Sequence, residues 1–324
     1  MTDHNRAMLA RRLSWRLEAA VAWLLIGLFR RLGPVRSSNL CGGLCRRLGP
    51  LLPVSRVADR NLRLALPELD DRARRAVVRG VWENLGRTVG EFPHLAAIVR
   101  DGRDAPGDGA GWSVVGDEVL ERQVAAGGPA LFVSGHLGNW EMLPPTVAAF
   151  GIRFSSFYRA AGNPVIDRMI RALRDRAMGA PERPPVPLFA KGARGARDAL
   201  AHVRGGGSLG LLVDQKMNDG MEARFFGHPA MTAPALAAMA LRYRCPVIPG
   251  RIERLAPARF RLVVEPPIPL PDTGDRREDE RLLTQAVNDR LEEWIRARPE
   301  SWLWLHRRWP KALYRRLEQD RYPD

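Results

Sequence analysis

Three cysteines in 324 residues cannot build a disulfide framework, which points to a reducing compartment. Cys41 and Cys45 stand one helical turn apart in "CGGLC", and no second Cys or His pair lies nearby to complete a metal site. They read as small apolar residues on a helix face. Six histidines form neither an H-E-x-x-H motif nor a Cys/His cluster, so no metal or other cofactor is expected. The wholly apolar run "AAVAWLLIGLF" (19–29) is far short of the roughly 20 residues a membrane-crossing helix needs. "RRLGPV" follows it where a signal peptide would carry a small-residue cleavage site. Zinc-finger spacing, an RNP-like aromatic strand and a basic-region zipper are all missing, which argues against a nucleic-acid module. A serine nucleophile is missing too. "GGSLG" (206–210) satisfies G-x-S-x-G, but Ser208 follows a helical pattern and precedes a strand, the reverse of a nucleophile elbow.

Basic charge, by contrast, is abundant. The 51 Lys+Arg against 36 Asp+Glu give +15 and a pI near 11.0, and nearly all of the excess is arginine. Such a surface attracts polyanions: nucleic acid, anionic lipid or an acidic carrier protein. Guanidinium groups suit bidentate phosphate recognition. Arg11, Arg12 and Arg16 precede the apolar run, Arg30 and Arg31 follow it, and "GGLCRRLGPLLPV" repeats the pattern. A buried amphipathic core helix would fit this pattern. The favoured reading is an anchor at an anionic membrane surface, with Trp15 and Trp23 near the boundary and the arginines on headgroups. Residues 1–55 are then a membrane-anchoring helical segment and 56–324 a single domain, with the positive flanks placing that domain on the cytoplasmic side.

Residues 60–92 read as a loop followed by a helix that starts near Asp70 or Asp71, with Val77, Val78, Val81, Trp82 and Leu85 at helical spacing. Beyond a surface loop at 100–111, short apolar runs alternate with helical patterns. Strands are expected at 130–134, 153–158, 185–189, 209–214, 246–252 and 259–265. Helices are expected at 141–150, 164–177, 192–204, 232–243 and 277–297. The alternation predicts an α/β fold with a mainly parallel or mixed central sheet flanked by helices. "APERPPVP" (180–187) reads as a loop.

The chemistry centres on "SGHLGNWE" (134–141). His136 falls just past the carboxyl end of a buried strand, the edge where open α/β sheets place ligand sites. If Glu141 opens the following helix, its carboxylate can meet the imidazole, fix its tautomer and make the other nitrogen a general base. On spacing alone, a structural turn remains open beside this catalytic pair.

Several segments share an order with a known family. "HLGNWE" resembles the H-x4-D/E motif of glycerolipid-type acyltransferases, and specifically the motif of bacterial lipid A biosynthesis (lauroyl/myristoyl) acyltransferases. "NLRLALPEL" (61–69), "NLGRT" (84–88), "YRAAGNPVID" (158–167), "DQKMNDG" (214–220), "FFGHPAMTAPA" (225–235) and "PESWLWLHRRWP" (299–310) follow in the family's order. Mycobacterial phosphatidylinositol mannoside acyltransferases share several of these, leaving a different glycolipid or lysophospholipid acceptor, with acyl-CoA as donor, as the alternative.

The resemblance implies a glycerolipid-acyltransferase-like fold and transfer of an acyl chain from acyl carrier protein to a hydroxyl of a phosphorylated lipid A precursor. The setting would be the cytoplasmic face of the inner membrane of a Gram-negative bacterium. His136 would be the general base and Glu141 its orienting partner. Arg159 would bind a substrate phosphate or carboxylate, or stabilise the oxyanion. Asp214 and Gln215 would return to the same sheet edge, and Asn139 joins them as a substrate-binding candidate. Lys191, Arg194 and Arg197 are further anion-site candidates, which a solvated basic helix face would equally explain. Phe225, Phe226 and Met231 form an apolar wall, either an acyl pocket or plain core, ending at a helix cap at Thr232. Trp302, Trp304 and Trp309 suit an interfacial belt or a core cover. Leu137, Ala160 and "EARFFG" depart from the family pattern, and Arg224 in the last bears on acyl-chain or acceptor preference.

Overall fold

A computed structural model describes residues 3–179 and 188–319. In chain order the elements are α1 (Asp3–Leu48), α2 (Ser55–Ala65), α3 (Asp71–Glu91), α4 (Leu95–Asp101), β1 (Gly111–Val115), α5 (Asp117–Ala126), β2 (Leu131–Ser134), α6 (Leu143–Ala148), β3 (Phe154–Tyr158) and α7 (Pro164–Met178). They continue with β4 (Phe189–Ala190), α8 (Ala193–Arg204), β5 (Ser208–Leu212), β6 (Met221–Phe225), β7 (His228–Thr232), α9 (Ala235–Tyr243), β8 (Val247–Ala256), β9 (Arg259–Val264), α10 (Arg276–Ala297) and α11 (Lys311–Gln319).

Seven strands form one sheet in the order β1-β9-β8-β2-β5-β3-β4. Only β8 and β9 pair antiparallel within it. The expected α/β fold, with a mostly parallel mixed sheet and a long N-terminal helix, is the fold observed. Side chains alternate across the sheet as the strand period of two requires. On β2, Leu131 and Val133 join one hydrophobic cluster, while Phe132 and the preceding Ala130 join the other.

Asp70 caps α3 by accepting from the Ala73 amide at 2.7 Å, and Asp71 sits in the first turn. The stretch before it is not loop throughout. α2 runs to Ala65 and buries Ala58, Asn61, Leu62 and Ala65 at helical spacing, a signal masked by interleaved arginines. The "FFGHPAMTAPA" segment is mostly the β6–β7 hairpin rather than a wall leading into a helix. Its two-residue turn, Phe226–Gly227, has φ of 51° and 73°, the positive pair that a twisted hairpin prefers. Thr232 therefore ends β7 and caps no helix; α9 begins at Ala235. Of the strand expected at 185–189, Phe189 opens β4, while 185–187 and the "APERPPVP" segment lie outside the described residues.

α1 is broken at Gly33 (φ 76°), directly before Pro34, whose ring disfavours helical backbone in the preceding residue. Beyond the break α1 lies against α3. A Cβ on Gly86 would stand 2.4 Å from the Cys41 carbonyl oxygen, and one on Gly90 2.4 Å from that of Ser37. Two glycines four residues apart on α3 thus let the helices touch backbone to backbone. Leu13, Leu17, Val21, Trp23, Leu24 and Leu28, before the break, are exposed, as are Leu40, Leu44 and Leu48 after it. No helix among the described residues is long and apolar enough to cross a membrane.

The tryptophan-rich C-terminal segment is core, not an interfacial belt. Trp302, Trp304 and Trp309 are fully buried, and Trp302 meets Trp304 edge-on at 4.5 Å. Phe225 packs on Trp302 at 5.7 Å and Phe226 on Trp304 at 6.1 Å. Both phenylalanines are buried against these tryptophans, the core packing that the sequence also allowed; Met231 is half-buried, and its carbonyl accepts from Arg308. Asn61 on α2 ties the segment down, donating at 2.7 Å to the carbonyls of both Trp304 and His306.

Candidate active site

The parallel register of β2 and β5 pairs Ser134 with Leu212. Two residues further on, the same alignment brings His136 beside Asp214 at the carboxyl edge of the sheet. Asp214 is completely buried, and three N–H groups converge on it. The imidazole Nδ1 meets Oδ1 at 2.8 Å; the His136 amide and Trp302 Nε1 donate to Oδ2 at 2.8 and 2.7 Å. A carboxylate holding two donors on one oxygen accepts from the ring on the other, so Nδ1 carries the proton. Nε2 is then left with its lone pair and, among the described residues, no hydrogen-bond partner. The histidine side chain is 17% exposed, enough for a substrate to reach it.

Electrostatics follow from this arrangement. Burial alone would depress the imidazole pKa. The Asp214 charge and hydrogen bond, assisted by Glu141, overcome it and hold His136 above its ordinary value. Burial likewise pushes Asp214 upward, but the His136 charge and hydrogen bond, with help from His306, keep its carboxyl well below the usual range. The pair resembles the base-and-orienter unit of acyl-transfer enzymes.

The expected contact between His136 and Glu141 gives way to a different pairing. Arg174 on α7 takes Glu141 in a bidentate grip, Nε to Oε2 at 2.9 Å and Nη2 to Oε1 at 2.6 Å. Trp140 stands between loop and helix, its ring edge-on to His136 at 5.2 Å. Glu141 therefore acts on the imidazole through its field, and Asp214 is the carboxylate that touches it. Asp214 stands behind the ring and offers a substrate nothing.

The loop is held from several directions. Gly138 has φ 57°, and a Cβ there would lie 2.1 Å from the Ile252 carbonyl oxygen, so only glycine fits. Its amide donates to Ser301 O at 3.0 Å, and its carbonyl accepts from Asn84 Nδ2 at 2.9 Å. The Leu303 amide donates to His136 O at 3.1 Å. Asn139 is fully buried: its Nδ2 donates to Glu91 Oε2 at 2.9 Å, and its Oδ1 accepts from the Glu141 amide. It shapes the loop and is not available to a substrate. Glu91, itself completely buried, also takes Ser38 Oγ at 2.7 Å, the Ala258 amide at 3.0 Å and the Arg254 guanidinium.

Other candidates lie at the same edge but outside this network. Arg159 directly follows β3, Lys191 directly follows β4, and Gln215 adjoins Asp214; all three are exposed. Arg194 and Arg197 are exposed on the first turns of α8. Ser208 opens β5 at the opposite edge and is buried, its Oγ accepting from the Ala130 amide, so it takes no part. A cavity of about 500 Å³ adjoins the loop at Leu137 and Ser301; Arg87, Arg251, Arg254 and Glu253 line it together with apolar side chains such as Val77 and Trp294, and His136 does not reach it. His306 lies beside Asp214, and burial drives its pKa down against the pull of the Asp214 charge.

Sequence reasoning missed Arg174 and Trp302 as site residues. Arg174 is one arginine among several on α7, and only the crossing with the His136 loop singles it out. Trp302 had a legible signal, a lone indole donor in a segment able to reach the sheet edge, but its apolar bulk pointed elsewhere.

No individually curated protein matches the chain. The family model of the bacterial lipid A biosynthesis acyltransferases matches residues 10–311, nearly the whole length, and the protein is a member of that family and hence an acyltransferase.

Proposed function

We propose that the protein moves a fatty acyl chain from an acyl carrier protein thioester to a hydroxyl of a phosphorylated lipid A precursor. The observation that carries this is the buried Asp214 beneath His136, which leaves Nε2 unprotonated and open at the edge of the sheet. Nε2 accepts the hydroxyl proton as the alcohol oxygen attacks the thioester carbonyl carbon. The tetrahedral intermediate collapses as the C–S bond breaks, and the departing sulfur takes the proton back from the imidazolium. Asp214 stabilises that cation, as an orienting carboxylate does in acyl transfer. Glu141, fixed by Arg174, adds a second negative charge nearby. Arg159, at the end of β3, is the group assigned to an anionic part of the substrate.

We also assign the exposed leucines of α1, interleaved with Arg11, Arg12, Arg16, Arg30 and Arg31, to the surface of an anionic bilayer, which holds the enzyme where its acceptor resides. That surface would be the cytoplasmic face of the inner membrane of a Gram-negative cell. The test is a purified assay with carrier-borne acyl chains and a panel of lipid acceptors. Acylation of a phosphatidylinositol mannoside in preference to a lipid A precursor would reject the acceptor assignment.

A further inference from the structure

Some arginines of this chain have acidic partners. On α10, Arg276 pairs with Glu280, Arg281 with Glu278 and Arg290 with Glu293. Two regions differ. One is α1, where the unpaired arginines alternate with exposed leucines, the composition of a lipid-facing surface. The other lies at the carboxyl edge of the sheet, and its composition is different.

β3 and β4 align Tyr158 with Ala190, and the Lys191 amide donates to the Tyr158 carbonyl at 3.0 Å. Arg159 and Lys191 therefore leave the sheet side by side. α8 begins two residues later and presents Arg194 and Arg197 to solvent. The Arg194 side chain is 90% exposed, and its nearest acid, Asp198, is a full 4.0 Å away. Arg159, Lys191 and Arg197 make no salt bridge among the described residues. From Tyr158 to Leu211 no described large hydrophobic side chain is exposed, and Leu212 at the end of β5 is the next one that is, so these four basic groups are not interleaved with leucines as the arginines of α1 are. Strand order sets its reach: His136 follows β2, and β5, β3 and β4 succeed it in the sheet. Three inter-strand steps of about 4.8 Å put Lys191 about 14 Å from the histidine.

We propose that Arg159, Lys191, Arg194 and Arg197 form the docking surface for the acyl donor's protein, an acidic domain that presents its thioester on a flexible arm. This rests on the donor assignment above. The charge is of the right sign, it is solvated and free to steer association, and it stands far enough from Nε2 that an arm rather than the domain itself enters the site. An acidic surface docking here directs its thioester along the sheet edge toward His136.

The test uses the full-length protein and the double variant Arg194→Glu/Arg197→Glu. Binding to a holo acyl carrier protein is read by fluorescence anisotropy, which needs no turnover. Binding to phosphatidylethanolamine–phosphatidylglycerol vesicles is measured in parallel, and kinetics are taken with one acyl chain carried on the protein, on CoA and on pantetheine. The proposal requires carrier binding to weaken by about tenfold or more. The preference for the carrier-borne chain over the pantetheine-borne chain falls by the same factor, and vesicle binding is retained. Equal losses with CoA and carrier would mark a nucleotide-phosphate site. Lost vesicle binding with intact carrier binding would mark a lipid surface. Either result, or carrier binding that does not change, overturns the proposal. Failure of the enzyme to transfer from any donor would reject the proposed function, and the binding measurement would still decide the docking surface.

Discussion

Replacing Asp214 by asparagine separates orientation from shape. The aspartate accepts three N–H groups: His136 N and Trp302 Nε1 on Oδ2, and the ring Nδ1–H on Oδ1. Asparagine has a single acceptor oxygen. Placing it where two donors converge preserves two bonds and turns the NH2 toward Nδ1. Nδ1 must then accept, so the proton moves to Nε2 and the base loses its lone pair. The cost is about 10⁴-fold in kcat, the effect of the same change in a serine-protease triad, or about 5.4 kcal/mol in barrier. Removing the charge also lowers the His136 pKa, so the activity that remains has its acid limb at lower pH. Thiol release from an acyl thioester gives the rate and its pH profile, and ¹⁵N NMR of the imidazole gives the tautomer. Activity within about tenfold of the parent, or a ring still protonated at Nδ1, would refute the reasoning.

Further outcomes follow from the same geometry. Because Asp214 and Glu141 outweigh burial and raise His136, the neutral base predominates only above that raised pKa. The acid limb of kcat/KM therefore lies above the ordinary histidine value of about 6.5, and a midpoint below it would contradict the assignment. Glu91→Ala leaves the Arg254 guanidinium buried without its partner and costs about 3–5 kcal/mol in chemical denaturation. Glu91→Gln, whose one amide oxygen can keep the three donors on Oε1 while its NH2 faces the Asn139 amide, costs less. Gly90→Ala places a methyl against the Ser37 carbonyl and destabilises by about 1–3 kcal/mol, with looser protection of α1 in hydrogen exchange.

The sheet was legible because its strands are short apolar runs between helical patterns, and most of its central strands fall within a residue or two of their expected places. His136 was legible for the same reason, since a polar residue after a buried strand marks the ligand edge. The partner of its ring was not. Glu141 is five residues away in sequence and Asp214 seventy-eight, and only strand register decides which of them reaches Nδ1. Local spacing favoured the near carboxylate, while tertiary pairing gave the contact to the far one and Glu141 to Arg174. The tryptophans left two settings open because their chemistry is common to both. An indole with an N–H at its edge suits a membrane boundary and equally a core with a buried acceptor, and here the acceptor is Asp214. Gly86 and Gly90 acquire their meaning only from the helix that crosses them.

The most direct test of the central claim is mass spectrometry of a phosphorylated lipid A precursor after incubation with purified protein and acyl carrier protein thioester. The parent enzyme should add one acyl mass, and His136→Ala, with folding verified by circular dichroism, should add none. The same mass increment from the His136→Ala enzyme would contradict the account.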